Sequence, residues 1–557
     1  MHAASCSAFI LSAAAWAAAA PPPPSAAPGP EDRPWWRDAV VYHVFVRSFA
    51  DSAEGPLAND GVGDLRGLIE RLDYINDGDP ATDTDLGATA LWLMPVMESP
   101  SEHGYDVVDY RAVDAEYGTN EDFRDLVAAC RERGIRVVLD LVINHTSSQH
   151  PWFREALDPD SPKRDWYVWA PGNPGHPETR HLWRPQDNPQ TRSALRDPLR
   201  APRGSSDEHG ADPHYFAFFW AGMPDLNLRN PDATAAVHDF SRFWLEEMGA
   251  DGFRLDAVKH LIEDGPVWEN TPETIAWLGD YRAFLRGVDP DAFVVGEVWA
   301  PTEQVKRYVP GGLDAAFEFD VASAIIRGVR ERQAAPIADA LARAWDAYPE
   351  GQFATFLANH DQPRLLTQLG GDRDGAKLAA AIQLTAPGIP FIYYGEEIGM
   401  SGDKPDPNIR TPMQWTADPA AAGFTAGEPW RAPQPDTPRV NVAAQHDDPD
   451  SLLNLYRRLV RLRPRATQST DAREAFEIIA TDDPRILAFE RRLTTPDGTR
   501  AVLLVANLGD GEAPIPAALR ERMGDIAVIA GVGAESPALG KPPAALHART
   551  AYVVTPP

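Results

Sequence analysis

From about residue 35 to about residue 470, short β-branched runs alternate with longer stretches whose apolar residues recur every three or four positions. The first kind of segment reads as strand and the second as amphipathic helix. Strands are expected at Val40–Val46, Ala90–Met94, Ile135–Leu141, Gly252–Leu255, Phe293–Gly296, Ala315–Phe319, Ala354–Leu357 and Phe391–Tyr394. Helices are expected between them, at Leu65–Ile75, Glu121–Arg133, Ala233–Met248, Thr274–Arg286, Val321–Ala344 and Lys377–Thr385. Eight strand–helix units in series predict an α/β fold, a (β/α)8 TIM barrel over residues 35–145 and 232–469, closed by Leu452–Leu462. The third unit carries an irregular insertion over 146–231, rich in Pro, Asp, Trp and Gly. Beyond residue 470 the helical period stops, and runs such as Phe476–Ile479, Ile486–Phe489 and Ala501–Ala506 predict a C-terminal all-β domain over 470–557, expected to cap the barrel.

The first twenty residues hold an apolar run around Phe9-Ile10-Leu11 and end in Ala17-Ala18-Ala19-Ala20. Such a short segment with small residues at its end is expected to be a secretory signal peptide, giving an exported protein, periplasmic or extracellular. Its n-region lacks Lys and Arg, the feature that sets a cytosolic protein with a disordered tail as the competing reading. Residues 21–34, opening on four prolines, are expected to be a solvated linker.

With 52 basic and 82 acidic side chains the chain has a net charge of −30, which argues against nucleic acid and against an anionic membrane surface. Two cysteines, of which Cys6 would leave with the signal peptide, exclude a disulfide scaffold. The 16 Trp and 14 Tyr fit sugar-binding sites as well as a core. A monomer without an organic cofactor is expected.

In such a barrel chemistry sits at the C-terminal strand ends. Strand three ends in Asp140-Leu-Val-Ile-Asn144-His145, strand four runs Gly252-Phe-Arg254-Leu-Asp256-Ala257-Val-Lys259-His260, strand five gives Glu297 and strand seven Asn359-His360-Asp361. Singly, each has an ordinary explanation as a cap, a salt bridge or a hydrogen-bonded histidine. Their convergence on one mouth does not. Carboxylates without a phosphate- or dinucleotide-binding loop suit glycosidic bond cleavage, which needs one ionised carboxylate and one protonated carboxyl. Arg254 should keep Asp256 ionised as nucleophile, while Glu297, followed by Val298 and Trp299, should hold its proton as acid/base. Asp361 would stabilise the charge that develops on the ring.

These four blocks resemble the signature regions of the α-amylase superfamily, glycoside hydrolase family 13, over nearly the whole chain from residue 35. Met223-Pro-Asp225-Leu-Asn227 is similar to a fifth region, in the form of α-amylases intermediate between the oligo-1,6-glucosidase and neopullulanase groups. The resemblance implies Asp256 as nucleophile, Glu297 as general acid/base, Asp361 as stabiliser and Arg254 as the residue orienting the nucleophile. It implies that His145 and His360 hydrogen-bond the transferred glucosyl unit, that Tyr105 stacks on it and that Asp106 holds its far hydroxyls. Arg410, in Arg410-Thr-Pro-Met-Gln-Trp415, resembles an arginine of that subsite in glucosidases and trehalose synthases. Lys259 and His260 resemble a pair beyond the cleavage point, and Ala257 favours α-1,4 linkages. Many relatives hold calcium in a loop after the first strand. Here Asp51, Asn59, Asp60, the Val62 carbonyl and Asp64 are the candidate ligands, although an insertion displaces Asp51; Asn144 and His260 are alternative contributors to an interdomain calcium site.

The expected activity is that of a retaining α-amylase acting on starch-type glucans and maltooligosaccharides. An exo-acting α-glucosidase or a trehalose synthase-like transglycosidase is the alternative. A catalytically dead binding barrel is disfavoured by the intact carboxylates.

Overall fold

A computed structural model describes residues 33–194, 213–463, 472–523, 528–532 and 542–554. The eight expected strands pair as one closed parallel sheet. They are β1 (Val41–Val44), β2 (Ala90–Leu93), β3 (Arg136–Leu141), β4 (Gly252–Leu255), β5 (Phe293–Gly296), β6 (Ala315–Phe317), β7 (Phe353–Thr355) and β8 (Ile389–Tyr393), in sequential order around the ring. One large apolar cluster fills the layer between strands and helices. A second, including Trp92, Phe293, Phe317, Phe356 and Phe391, fills the barrel axis. Below it a short turn, Trp35–Asp38, lays Trp36 on Phe293 with ring centroids 5.3 Å apart. The N-terminal end is thereby plugged, and the C-terminal end stays open for chemistry.

Two of the predicted helices are interrupted. Val321–Ala344 forms two helices, Phe319–Glu331 and Ala335–Ala347. Arg332, at φ 60°, is left-handed and stops the first, and Pro336 opens the second, so an apolar period that runs through both is cut by backbone geometry. Leu65–Ile75 likewise breaks at Arg71. The helix Pro231–Arg242 ends in a π turn, Phe243–Glu247.

The insertion after β3 builds a small antiparallel sheet in which Pro213–Phe216 lies between Trp169–Pro171 and Trp183–Pro185. A bridge from His145 to Asp225 pins it to the segment after β3, and one from Tyr167 to Leu226 ties the insertion to itself. The C-terminal domain is a five-stranded antiparallel sheet of β9 (Arg473–Ile478), β10 (Ile486–Thr495), β11 (Gly498–Asn507), β12 (Val528–Val532) and β13 (Thr550–Val554), ordered β9-β10-β11-β13-β12. Buried Arg549 docks it on the barrel by donating to the Val329 carbonyl at 3.0 Å, and it also donates to Leu508 of its own domain at 2.8 Å. The expected signal peptide and, apart from Arg33 and Pro34, the expected linker lie outside the described residues, as does 195–212 of the insertion. No described helix is long and apolar enough to cross a membrane.

One glycine sets the height of β4. A Cβ on Gly252 would lie 2.2 Å from the carbonyl oxygen of Phe293, so only glycine lets β4 approach β5 this closely. The register that follows places Phe253 beside Val294 and Arg254 beside Val295 on one flank, and Asp140 beside Arg254 on the other.

Candidate active site

Arg254 is the hub of the open mouth. Its side chain is 1% exposed, and one nitrogen donates to Asp140 Oδ1 at 2.8 Å and to Asp256 Oδ1 at 2.8 Å. The other donates to Glu297 Oε2 at 2.5 Å. The guanidinium also lies over Trp92, 5.1 Å from the ring centroid. Three carboxylates from β3, β4 and β5 thus share one cation. The strand period explains part of this, because Arg254 and Asp256 two residues on point to the same face.

Burial pushes Asp256 up to about 6, with Arg254 pulling against the shift, and pushes Asp140 to about 6 in the same way. Glu297 is also raised by burial against the pull of Arg254. The expectation that Arg254 would single out Asp256 therefore needs correction. Arg254 is bonded to both Asp256 and Glu297, so it holds the pair together rather than sorting it, and the cluster titrates as a unit.

Asp361 differs. Burial alone would raise it, but His360 Nε2 at 3.1 Å and Arg410 Nη2 at 2.9 Å hold it far below the usual carboxylate range. Arg410 also donates from Nε to the His360 carbonyl at 2.9 Å, so it clamps the Asp361 turn from two directions. The Tyr105 hydroxyl donates to Asp140 at 2.9 Å and lies 2.7 Å from His360 Nε2, and the Tyr105 ring stacks on the His360 ring. His145 is buried, kept neutral by that burial, and its Nε2 meets the Tyr105 carbonyl at 3.1 Å. Asp106 accepts from Ser99 at 2.9 Å and from Ser101.

The structure thus gathers Asp256, Glu297, Asp361, Arg254, Tyr105, His360, His145 and Arg410 at one mouth. Lys259 and His260, the expected pair beyond the cleavage point, have partners outside this cluster. Lys259 bonds Glu269 at 2.7 Å and the Trp299 carbonyl at 3.0 Å. His260 is buried in a cluster of three rings with Phe218 and Trp268, at 3.8 and 5.5 Å between centroids, and its Nδ1 lies 3.1 Å from the Trp268 carbonyl.

Three groups escaped selection from sequence: Asp140, Trp92 and His43. Trp92 donates to Asp140 at 3.2 Å, and His43 stacks on Trp92 at 3.6 Å between centroids. Asp140 does stand at a strand end, but only the register of β3 on β4 reveals that it faces Arg254.

In the loop after β1 the candidate calcium ligands accept hydrogen bonds from the protein itself. Asp51 accepts backbone N–H bonds from Asn59 at 2.9 Å and Gly61 at 2.8 Å, and Asp60 accepts from Val62 at 2.8 Å. Asp64 accepts from Ser52 at 3.0 Å and from Gly67 at 2.8 Å, capping the helix Leu65–Glu70. The Asn59 side-chain oxygen accepts from Ala426 at 3.0 Å. Asp51, Asn59, Asp60 and Asp64 thus close a hydrogen-bonded loop with backbone donors of the same segment and of Ala426. Where the insertion meets the end of β3, the buried oxygens Asn144 Oδ1 and Asp225 Oδ2 are among those in the described residues that lack a hydrogen-bond partner.

Comparison with known proteins agrees with this geometry. Residues 43–471 match the family model described as "Alpha amylase, catalytic domain". The chain is 39% identical over 469 residues to Alpha-amylase 3 of Dictyoglomus thermophilum, covering 83% of this chain and 84% of that protein. It is 35% identical over 571 aligned positions to the trehalose synthase/amylase TreS of Mycolicibacterium smegmatis, covering 92% and 91%. The crystal structure of the α-amylase from H. orenii superposes with a TM-score of 0.76 at 35% identity, covering 93% of this chain and 99% of that one. With a matched catalytic domain, a closed (β/α)8 barrel and three carboxylates on one buried arginine, the chain belongs to the α-amylase family of glycoside hydrolases.

Proposed function

We propose that the protein hydrolyses α-1,4-glucosidic bonds in starch-type glucans and maltooligosaccharides with retention of configuration. The observation that carries this reading is the Arg254 fork, with Asp256 and Glu297 on its two nitrogens. Carboxyls that share one guanidinium are close neighbours, the arrangement retaining enzymes need for attack and proton donation at about 5–5.5 Å. Protonated Glu297 donates to the leaving oxygen while ionised Asp256 attacks the anomeric carbon. Water then attacks the glucosyl–Asp256 ester, giving its proton to Glu297 and releasing Asp256. Asp361, kept ionised by His360 and Arg410, faces the positive charge on the ring. His145, His360, Tyr105 and Asp106 would hold the glucosyl unit.

A second reading, an exo-acting glucosidase or a trehalose synthase-like transglycosidase, is supported by the Arg410 clamp on Asp361 and by the trehalose synthase likeness. The apolar leader supports export. Calcium is proposed at Asn144 and Asp225, whose orphaned oxygens have the hard-donor chemistry it prefers. There it would clamp the insertion to the end of β3 and take no part in bond cleavage.

Three outcomes are expected. Early products from amylose should be α-anomeric maltose and longer oligomers; glucose alone, or interconversion of maltose and trehalose, would establish the second reading instead. Because burial raises Asp256 to about 6, and the attacking form is the deprotonated one, kcat/KM should fall as the pH drops through about 6. A profile flat down to pH about 4, the range of an unperturbed carboxylate, would contradict the buried cluster. Chelation followed by melting should lower the transition of the wild type and leave Asp225→Asn unmoved. Equal melting with and without calcium would remove the metal from the account.

A further inference from the structure

The helix that closes the barrel, Leu452–Leu462, carries Asn454, Arg457, Arg458 and Arg461 on one face, at spacings of three and four residues. Like charges so placed repel, and the stripe stands out in a chain whose net charge is −30. This face walls a cavity of about 420 Å³, which Asp83 and Asp447 also line. That volume lies within the range of small-molecule sites, about 300–1,000 Å³. Asp83 belongs to the turn leading into β2, so the hollow lies toward the N-terminal ends of the strands, away from the catalytic mouth.

The three arginines are not equally satisfied. Arg461 donates to the Asp85 carboxylate and, at 3.0 Å, to the Asp85 carbonyl, so its charge is matched. Arg457 is 3% exposed; it donates to Asn454 Oδ1 at 3.0 Å and lies 3.3 Å from His446 Nδ1, while its Nε–H has no partner. Arg458 donates to the Pro449 carbonyl at 2.8 Å. Among the described residues neither Arg457 nor Arg458 makes an ion pair. Asn454 Nδ2 holds the neighbouring loop against this face through the carbonyls of His446 at 2.9 Å and Asp448 at 2.8 Å. The two carboxylates of the lining stand at the rim: the Asp447 side chain is 98% exposed, and Asp83 is exposed as well. Solvent screens them, and the positive charge at the buried floor stays uncompensated.

These features select a ligand class. Planar guanidinium forks match the oxygens of phosphate, and one doubly charged oxyanion balances the two unmatched cations. A carboxylate would balance only one of them, and chloride offers no directional acceptors. Burial disfavours the charged form of both Arg457 and Arg458, a cost that an anion beside them offsets. The buried Nε–H of Arg457 is a donor left to a ligand or water at the wall.

We propose that this cavity binds a phosphate group, as inorganic phosphate or as a phosphate monoester, between Arg457 and Arg458. The bound group ties the closing helix to the 446–450 loop and to the turn at Asp83, and it stabilises the folded barrel as its concentration rises. The site does not depend on the activity proposed above.

The test uses the full chain, titrated with inorganic phosphate by calorimetry at fixed pH, with ionic strength held constant by sodium chloride. One saturable site is expected, and the melting temperature should rise with phosphate beyond the effect of chloride alone. Arg458→Gln changes the half-buried arginine and spares the buried one. It should weaken phosphate about tenfold or more, the loss of a charge-assisted hydrogen bond. Its circular dichroism and its activity toward amylose should match the wild type, which separates lost binding from lost folding. Arg458→Lys, which keeps the charge and loses the fork, should recover part of the affinity. Glucose 6-phosphate titrated in parallel identifies the source: binding tighter than phosphate marks a monoester site, and equal or weaker binding a free-phosphate site, either of which supports the proposal. Absence of phosphate binding above the chloride background, with water alone meeting the Arg457 Nε–H, would overturn it. Equal phosphate affinity in the wild type and Arg458→Gln would overturn it too, by placing the anion elsewhere.

Discussion

A buried guanidinium shared by three carboxylates is the constraint on which the rest of the mouth depends. Arg254 is 1% exposed, and Asp140 beneath it is fully buried. An isolated ion in such a place would cost several kcal/mol, and removing one partner from a buried pair typically costs about 3–5 kcal/mol. The cluster is therefore stable only as a set. Asp140, Asp256 and Glu297 surround the cation from three neighbouring strands, and Trp92 covers one face of it. The carboxyls that would react cannot drift without leaving a charge uncompensated.

The barrel supplies this arrangement through features that are individually small. Gly252 lets β4 come within reach of β5, which brings Glu297 to the same guanidinium as Asp256. Ala257, at φ 47°, turns the chain sharply after Asp256, and its N–H lies 3.4 Å from Glu297 Oε2. A left-handed non-glycine residue costs free energy and persists only where its surroundings dictate it. On the far side of the mouth, Arg410 and His360 treat Asp361 differently, keeping it ionised while burial raises its neighbours. One pocket thus contains carboxyls poised on opposite sides of their usual range, which is what acid/base and electrostatic roles require.

Much of this was legible in the sequence. The eight strands are short, largely apolar runs, and burial on both faces gives them a strong signal. Asp256 and Glu297 stood out because they follow such runs directly, and Asp361 because it closes the Asn359-His360-Asp361 block just beyond one. What escaped was non-local. Asp140 gains its meaning from a register with Arg254, more than a hundred residues away, which no local period encodes. The fate of His260 depends on Phe218, contributed by the insertion, and the loop carboxylates Asp51 and Asp64 depend on the direction of backbone N–H groups. The break at Arg332 was hidden because the apolar period continues across it.

The central claim is that Asp256, held by Arg254 beside Glu297, forms a covalent bond to the sugar. It is tested most directly by trapping that ester. The Glu297→Gln protein, given an activated glucosyl donor that needs no acid to depart, should accumulate the intermediate because its breakdown lacks a base. Mass spectrometry of the digested protein should then find one hexosyl unit on the peptide that contains Asp256. A modified peptide carrying another carboxylate, or turnover of the donor to a product of inverted configuration with no adduct, would contradict the account.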